Sequence, residues 1–278
     1  MPETFKGRCW WITGASSGIG EALARALAAK GASLVLSGRN VAALEAVAKG
    51  CRDTLVLPFE ATDFARIPEL AERAWKWKGR IDGLVNNAGI SQRSLAVETA
   101  FTVYEKIVAV DLLAPIALTQ ALLPRMVGAG GARIVAISSV AGMIGAPLRS
   151  AYSAAKHGLI GYHDSVRAEN EHLGIQVLVV APGSIRTNVS RNALNADGSR
   201  RGVSDSIIDN GMPPEDAAAA IVAALDAGKR ELVLAAGVEY DYVMLRRKDP
   251  EALFEALSAR IRDGYAQKMA AAKDGKPS

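Results

Sequence analysis

The feature that most constrains this chain is an alternation. Between residues 9 and 234, short and predominantly apolar runs are separated by longer amphipathic ones. The short runs 9–13, 33–37, 54–58, 83–86, 133–138, 175–181 and 231–234 predict strands. The runs 19–30, 41–49, 64–78, 101–127, 151–173 and 215–227 carry helical periodicity, and Pro115 is placed to bend the longest of them. Strands this apolar are buried on both faces, which an antiparallel sheet with one wet face does not allow. The pattern therefore predicts an α/β fold, a doubly wound parallel sheet of seven strands with helices on both faces. With 278 residues, half of them apolar, the chain can bury one core of that size. The expected organisation is a single domain over 1–236 and a helical extension over 237–278. In that extension a helix at 250–272 lines up Leu253, Leu257 and Ile261 for packing on the core or on a partner subunit. The segment 189–212, rich in Asn, Ser, Gly and Arg, falls outside the alternation and is long enough to be a lid over a site.

Charge excludes some functions. The net charge is +4 with both signs interspersed, and the densest basic spots, Arg200–Arg201 and 246–248, are too short to follow a phosphate backbone. No nucleic-acid partner is expected. The two cysteines form no CxxC; Cys9 reads as core and Cys51 as a loop residue. The histidines, His157, His163 and His172, lack Cys or His partners at metal-ligand spacing, so no metal site is expected. The first strand begins too early to leave room for a signal peptide. No apolar stretch approaches the roughly 20 residues of a membrane span. These readings point to a soluble, cytoplasmic protein.

The first strand runs straight into Thr13-Gly14-Ala15-Ser16-Ser17-Gly18-Ile19-Gly20, and a helix follows. Glycines permit a tight turn and close backbone approach, and the helix start presents free N–H groups and positive dipole to a pyrophosphate. A glycine motif alone is weak, but between a strand and a helix it is in the context a dinucleotide needs. Gly14, Ser16, Ser17, Gly18, Ile19 and Gly20 are thus candidate cofactor ligands. At the end of the second strand an acidic residue would bind the ribose hydroxyls of NAD; the chain instead has Ser37-Gly38-Arg39. Arg39 suits a 2′-phosphate, so NADP is expected rather than NAD.

Tyr152 and Lys156 stand four residues apart on a predicted helix, hence on one face. A free phenol, titrating near ~10, is a poor base at neutral pH, and an ammonium beside it favours the phenolate. Such a pair suits general acid–base work, although alone it is common on surfaces.

TGASSGIG at 13–20, NNAG at 86–89, ISS at 137–139, YSAAK at 152–156 and PGSIRT at 182–187 together resemble the short-chain dehydrogenase/reductase family in its main single-domain branch, over roughly residues 5–235. Two stretches, 148–161 and 184–202, are similar to its dehydrogenase/reductase member-seven-like group, whose membrane anchor has no counterpart here. The resemblance implies a Rossmann-type fold and a hydride exchanged between a nicotinamide cofactor and a carbonyl or alcohol carbon. It implies that Tyr152 moves the proton, that Ser139 bonds the substrate oxygen, and that Lys156 also grips the nicotinamide ribose. By position Asn87 would lie at the adenosine ribose, Ile185 and Thr187 at the carboxamide and phosphates, and Asn86 would bridge strands in the sheet centre.

Two positions depart from the family. Asp111 stands where an Asn usually holds a water that links the lysine to solvent, and Glu60–Ala61 replaces Asp–Val at the adenine. The backbone carbonyl that serves that water survives the change to Asp111, so a relay can persist with an added negative charge. Ala141, Met143, Ile144, Leu148, Val189, Leu194 and Ile207 would wall the substrate pocket, which suits a lipophilic ketone, aldehyde or alcohol. The lid charges Arg191, Asp197, Arg200, Arg201 and Asp205 are of both signs and are expected on a solvated face. The family's usual pairing through helices 101–127 and 151–173 implies a homodimer or homotetramer. Two competing readings are a nucleotide-sensing protein that has lost chemistry and an enoyl-type C=C reductase. The first is opposed by the presence of both Tyr152 and Lys156, the second by their close spacing.

Overall fold

The computed structural model describes residues 4–273. Seven strands form one parallel sheet in the order β3-β2-β1-β4-β5-β6-β7. They are β1 Cys9–Thr13, β2 Ser33–Ser37, β3 Thr54–Val56, β4 Gly83–Asn86, β5 Ala132–Ile137, β6 Ile175–Pro182 and β7 Glu231–Leu234. Between them run α1 Gly18–Ala29, α2 Val41–Lys49, α3 Ile67–Lys78, α4 Phe101–Val108, α5 Ala114–Gly128, α6 Ser150–Asn170, α7 Ser206–Asp209 and α8 Pro214–Asp226.

Successive strand side chains point to opposite faces, and β1 shows the result. Trp10 and Ile12 join Leu34, Leu36 and Val85 under α1 and α8, while Trp11 joins Val35, Leu84 and Ile134 under α3, α5 and α6. This double burial is what the unbroken apolar strands require. The strand order reverses at β1, which pairs with β2 on one side and β4 on the other. The crevice beyond the carboxyl ends of those strands is where such sheets bind ligands.

Several boundaries differ from the sequence reading, each for a local reason. β3 stops at Val56, two residues before Pro58, which has no N–H to donate to a ladder. The 64–78 helix opens with a 3₁₀ turn, Phe64–Arg66, because Pro68 sits at the start of α3. Cys51 lies in the loop between α2 and β3, as expected, but is buried against the α1 side of the core. Asn86 does not bridge strands: its amide donates to Thr119 Oγ1 at 2.9 Å and faces His163 Nε2 at 3.2 Å, tying β4 to α5 and α6. His163 Nδ1 meets the Leu159 carbonyl at 2.8 Å, so the ring donates there and accepts from Asn86. Burial holds the His163 pKa down at about 4, and the imidazole is a neutral core group.

The long helix is interrupted. Between α4 and α5 the chain makes a π turn, Ala109–Leu113, with Asp111 inside it. Pro115 explains the break, since it has no N–H to offer the carbonyl of Asp111 four residues back. Contrary to the sequence expectation, the combined run Phe101–Gly128 is long and apolar enough, by length and composition, to cross a membrane. Asp111 is the one charge within its central stretch, and the run packs as a layer of the fold through Leu118, Leu122 and Met126.

The chain beyond β7 forms α9 Val238–Lys248, α10 Pro250–Arg262 and α11 Tyr265–Lys273. The sequence reading had one helix there. It missed α9, and Gly264, with φ +83°, separates α10 from α11. Leu253 and Val243 bury against Val140 and Ile144, with Leu257 at the edge of that cluster.

Candidate active site

The glycine loop is built by contacts that only glycine allows. Gly14 and Gly18 have φ +65° and +58°. A Cβ at Gly14 would stand 2.8 Å from Asn87 Nδ2 and 2.9 Å from Ala88 Cα; one at Gly18 would stand 3.0 Å from the Thr187 methyl; one at Gly20 would collide with the Gly14 carbonyl. Loop, Asn87 and Thr187 are thereby one surface. Thr13 Oγ1 accepts from the Asn87 and Ala88 N–H groups, and the Asn87 amide donates to the Thr13 carbonyl at 2.9 Å. Ser16 lies beside Gly38, as a Cβ there would be 3.5 Å from its Oγ. A cleft of about 400 Å³ opens between Gly18, Arg25, Thr187 and Pro214, without reaching Ser139 or Tyr152. These residues fit a dinucleotide: bare backbone at a helix start, hydroxyls beside it, and no carboxylate in the loop itself.

At the adenine end, Arg39 Nη1 lies 3.6 Å from Glu60 Oε2, both side chains being exposed. The two residues assigned separately to the 2′-phosphate and the adenine are therefore neighbours, and the carboxylate competes for the guanidinium. Ala61 lies beside Thr13, Asn86 and Ala88.

The candidate chemical groups meet across β5, β6 and α6. Ser139 leaves the end of β5 and caps a 3₁₀ turn, Val140–Gly142; its Oγ accepts from the Ala141 N–H at 3.1 Å and lies 3.3 Å from the Pro182 carbonyl. Tyr152, half-buried in the first turn of α6, has its ring centre 5.6 Å from Lys156 Nζ. Lys156 is buried. It donates to the Ile137 carbonyl at 3.0 Å and stands 3.2 Å from Asp111 Oδ2. Asp111 is wholly buried, and its Oδ1 accepts from the Ile90 N–H at 2.8 Å. Burial works against the Lys156 ammonium, but the Asp111 carboxylate and the Tyr152 oxygen outweigh it and hold the pKa above the ordinary lysine value. Burial pushes the Asp111 carboxyl up, against the pull of the Lys156 ammonium and the Ile90 N–H, so each group is the other's main electrostatic partner. Gly89 makes room for it, as a Cβ there would lie 2.7 Å from Asp111 Oδ2.

Other expected residues take different places. Ala141 is buried, and only its N–H reaches Ser139. Met143 packs with the Val140–Leu253 cluster of the extension. Leu194 packs beside Tyr152 with Val103 and Ile107, Val189 is half-buried, and Ile207 is exposed. Leu148 is one of two non-glycine residues with positive φ among the described residues, +63°. The lid charges do not all face solvent: Arg201 and Asp205 are buried. The structure also adds residues that no motif marks. Gln92 is fully buried and accepts from the Ala151 N–H at 2.8 Å, fixing the start of α6 below Tyr152. Glu239 of α9 accepts from Ser184 N–H and Oγ, both at 2.8 Å, and braces the loop that carries Ile185 and Thr187. Both contacts span distant parts of the chain, so spacing alone does not reveal them.

A Rossmann-type sheet, a glycine loop at its switch point and a Ser–Tyr–Lys set beside it define a nicotinamide-dependent oxidoreductase. The chain belongs to the short-chain dehydrogenase/reductase family: residues 8–198 match the family model described as short chain dehydrogenase. It is 40% identical over 261 residues to dehydrogenase/reductase SDR family member 7B of Bos taurus, covering 90% of this chain and 80% of that one. Among solved structures it is similar to a short-chain dehydrogenase from Streptomyces avermitilis, at 31% identity and TM-score 0.79 over 92% of this chain and 98% of that one. It is also similar to levodione reductase, at 26% identity and TM-score 0.72 over 84% and 97%.

Proposed function

We propose that this oxidoreductase uses NADP(H) to interconvert a lipophilic ketone or aldehyde and its alcohol. The observation that carries the reading is the Tyr152–Lys156 arrangement: a half-buried phenol beside a buried ammonium, on the helix that faces Ser139. When bound, the nicotinamide supplies or accepts the hydride. Ser139 Oγ donates to the substrate oxygen and holds it next to the Tyr152 hydroxyl. Tyr152 gives that oxygen its proton on reduction and takes it back on oxidation. Lys156 keeps positive charge beside the phenol and is placed to bond the nicotinamide ribose. Leu194 belongs to the apolar cluster against which the Tyr152 ring packs. The name of one structural relative, levodione reductase, agrees with carbonyl reduction.

Arg39 supports NADP, with Glu60 as its counterweight. Titration is expected to give tighter binding of NADPH than of NADH, and Arg39→Ala to weaken NADPH roughly tenfold or more, the worth of a charge-assisted contact. The same change should leave NADH nearly unmoved. Equal affinity of the wild type for both cofactors would remove the role given to Arg39. A panel of ketones and aldehydes with NADPH tests the chemistry, and an absence of turnover across the panel would restore the reading as a nucleotide-binding protein.

Homo-oligomerisation through α4, α5 and α6 is proposed from Phe101, 75% exposed at the start of α4, and Leu113, exposed in the π turn between α4 and α5. Light scattering at micromolar concentration is expected to give a dimer or tetramer; a monomeric mass would remove the proposal.

A further inference from the structure

Ahead of α6 and near Tyr152, guanidinium groups outnumber carboxylates. Arg93 Nη2 stands 2.7 Å from Asp205 Oδ2, and Arg201 Nη1 stands 2.6 Å from Asp205 Oδ1, with all three side chains at most 5% exposed. One carboxylate thus serves two arginines. A third, Arg149, immediately precedes α6 and lies one helical turn before Tyr152. Its electrostatic neighbours are Arg93, Tyr265, Tyr152 and Asp205. No carboxylate or carbonyl among the described residues forms a hydrogen bond or ion pair with its guanidinium.

The backbone is bent to put it there. Leu148, just before it, holds a left-handed conformation that costs a side-chain-bearing residue energy, of the kind kept at functional sites. The Leu148 carbonyl accepts from the Ser94 N–H at 3.1 Å, which fixes the segment beside Arg93. On the outer side, Tyr265 at the start of α11 approaches Arg149, and Arg260 stacks on the Tyr265 ring at 4.1 Å. Arg201 Nη2 reaches the Met269 carbonyl at 3.5 Å. The extension therefore covers one side of this basic cluster. Desolvation and the like charge of Arg93 lower the Arg149 pKa to about 10, which leaves the half-buried group protonated at neutral pH and able to take an anion.

We propose that Arg149, backed by Arg93, is an anion subsite of the substrate pocket, so that the carbonyl compound carries an acidic group, a carboxylate or a phosphate, besides its apolar chain. The apolar walls bind the chain, and Arg149 sets which end enters. This rests on the carbonyl reading above.

Two matched pairs distinguish the sources of charge: oxo-octanoate against its methyl ester, and oxo-octyl phosphate against its parent keto alcohol. For wild type, kcat/KM is expected to favour the charged member of at least one pair by about ten- to a hundredfold. Arg149→Leu is expected to erase that preference, with the charged member losing far more than the neutral one, and Arg149→Lys to restore part of it. Equal use of charged and neutral members by wild type, or an equal loss of both in Arg149→Leu, overturns the proposal. Calorimetric titration with octanoate and octyl phosphate, which hold no carbonyl, separates the two readings. Binding by wild type that Arg149→Leu abolishes supports the subsite even if no ketone is reduced; no binding of either anion by wild type overturns it. A thermal melt of each variant verifies the fold.

Discussion

Tyr152→Phe is expected to lower kcat by about a hundred- to ten-thousandfold, the worth of a positioned general acid or base, with NADPH affinity nearly unchanged. The change deletes one hydroxyl and keeps the ring. The ring packs in the cluster of Val103, Ile107, Ala151, Ala155 and Leu194, so the helix and its contacts have no reason to move. Lys156 keeps its bond to the Ile137 carbonyl and its contact with Asp111, and with them its place near the cofactor. Loss of an interaction made only during proton transfer falls on kcat and kcat/KM alike. Steady-state kinetics with a responsive ketone, paired with a fluorescence titration of NADPH, measures both. Turnover within tenfold of wild type would refute the assignment of Tyr152 as proton donor.

The second large effect concerns Asp111. Asp111→Ala leaves the Lys156 ammonium buried without its counterion, and breaking a buried pair in this way typically costs about 3 kcal/mol or more. A lower denaturation midpoint at unchanged slope measures it. Asp111→Asn is more informative, because an amide keeps the shape and a hydrogen-bonding oxygen while removing the charge. The sign follows from the charges that remain. In wild type the ammonium and carboxylate largely cancel; in the variant the positive charge stands alone and favours the phenolate. A unit charge within about 9 Å of the Tyr152 ring, in a medium of effective dielectric about 20, contributes about 2 kcal/mol. That corresponds to roughly one pH unit or more. The limb of the pH–rate profile for alcohol oxidation is therefore expected to move to lower pH in Asp111→Asn, by about that amount. An unmoved limb, or one displaced to higher pH, would show that Asp111 does not balance the lysine, and would leave it a structural residue of the π turn.

The effect of Asp111 illustrates how far sequence alone reaches. Its identity and its departure from the family pattern are plain in the sequence, and so is Pro115 four residues on. That the two together open a π turn, and that the turn aims the carboxylate at Lys156, is a packing result. It depends on Gly89 lying close enough to need no Cβ, and on the Ile90 N–H being free to bind the other carboxylate oxygen. Arg39 and Glu60 tell the same story. Each was assigned from its own position, but their 3.6 Å approach follows from β2 and β3 lying side by side.

The glycine loop, the parallel seven-stranded sheet implied by the alternation, and the one-turn spacing of Tyr152 and Lys156 were determined by the sequence itself. Each is a local property: backbone freedom, two-sided apolarity, or the pitch of a helix. What only the tertiary structure decided are the long-range electrostatics of the site. The Asp111–Lys156 pair, the Glu239 brace, the burial of Arg201 with Asp205, and Arg149 near Tyr152 with no ion-paired carboxylate among the described residues join residues that are far apart in the chain or carry no distinguishing spacing. Charges interact through distance and burial, and a linear sequence specifies neither until the chain has folded.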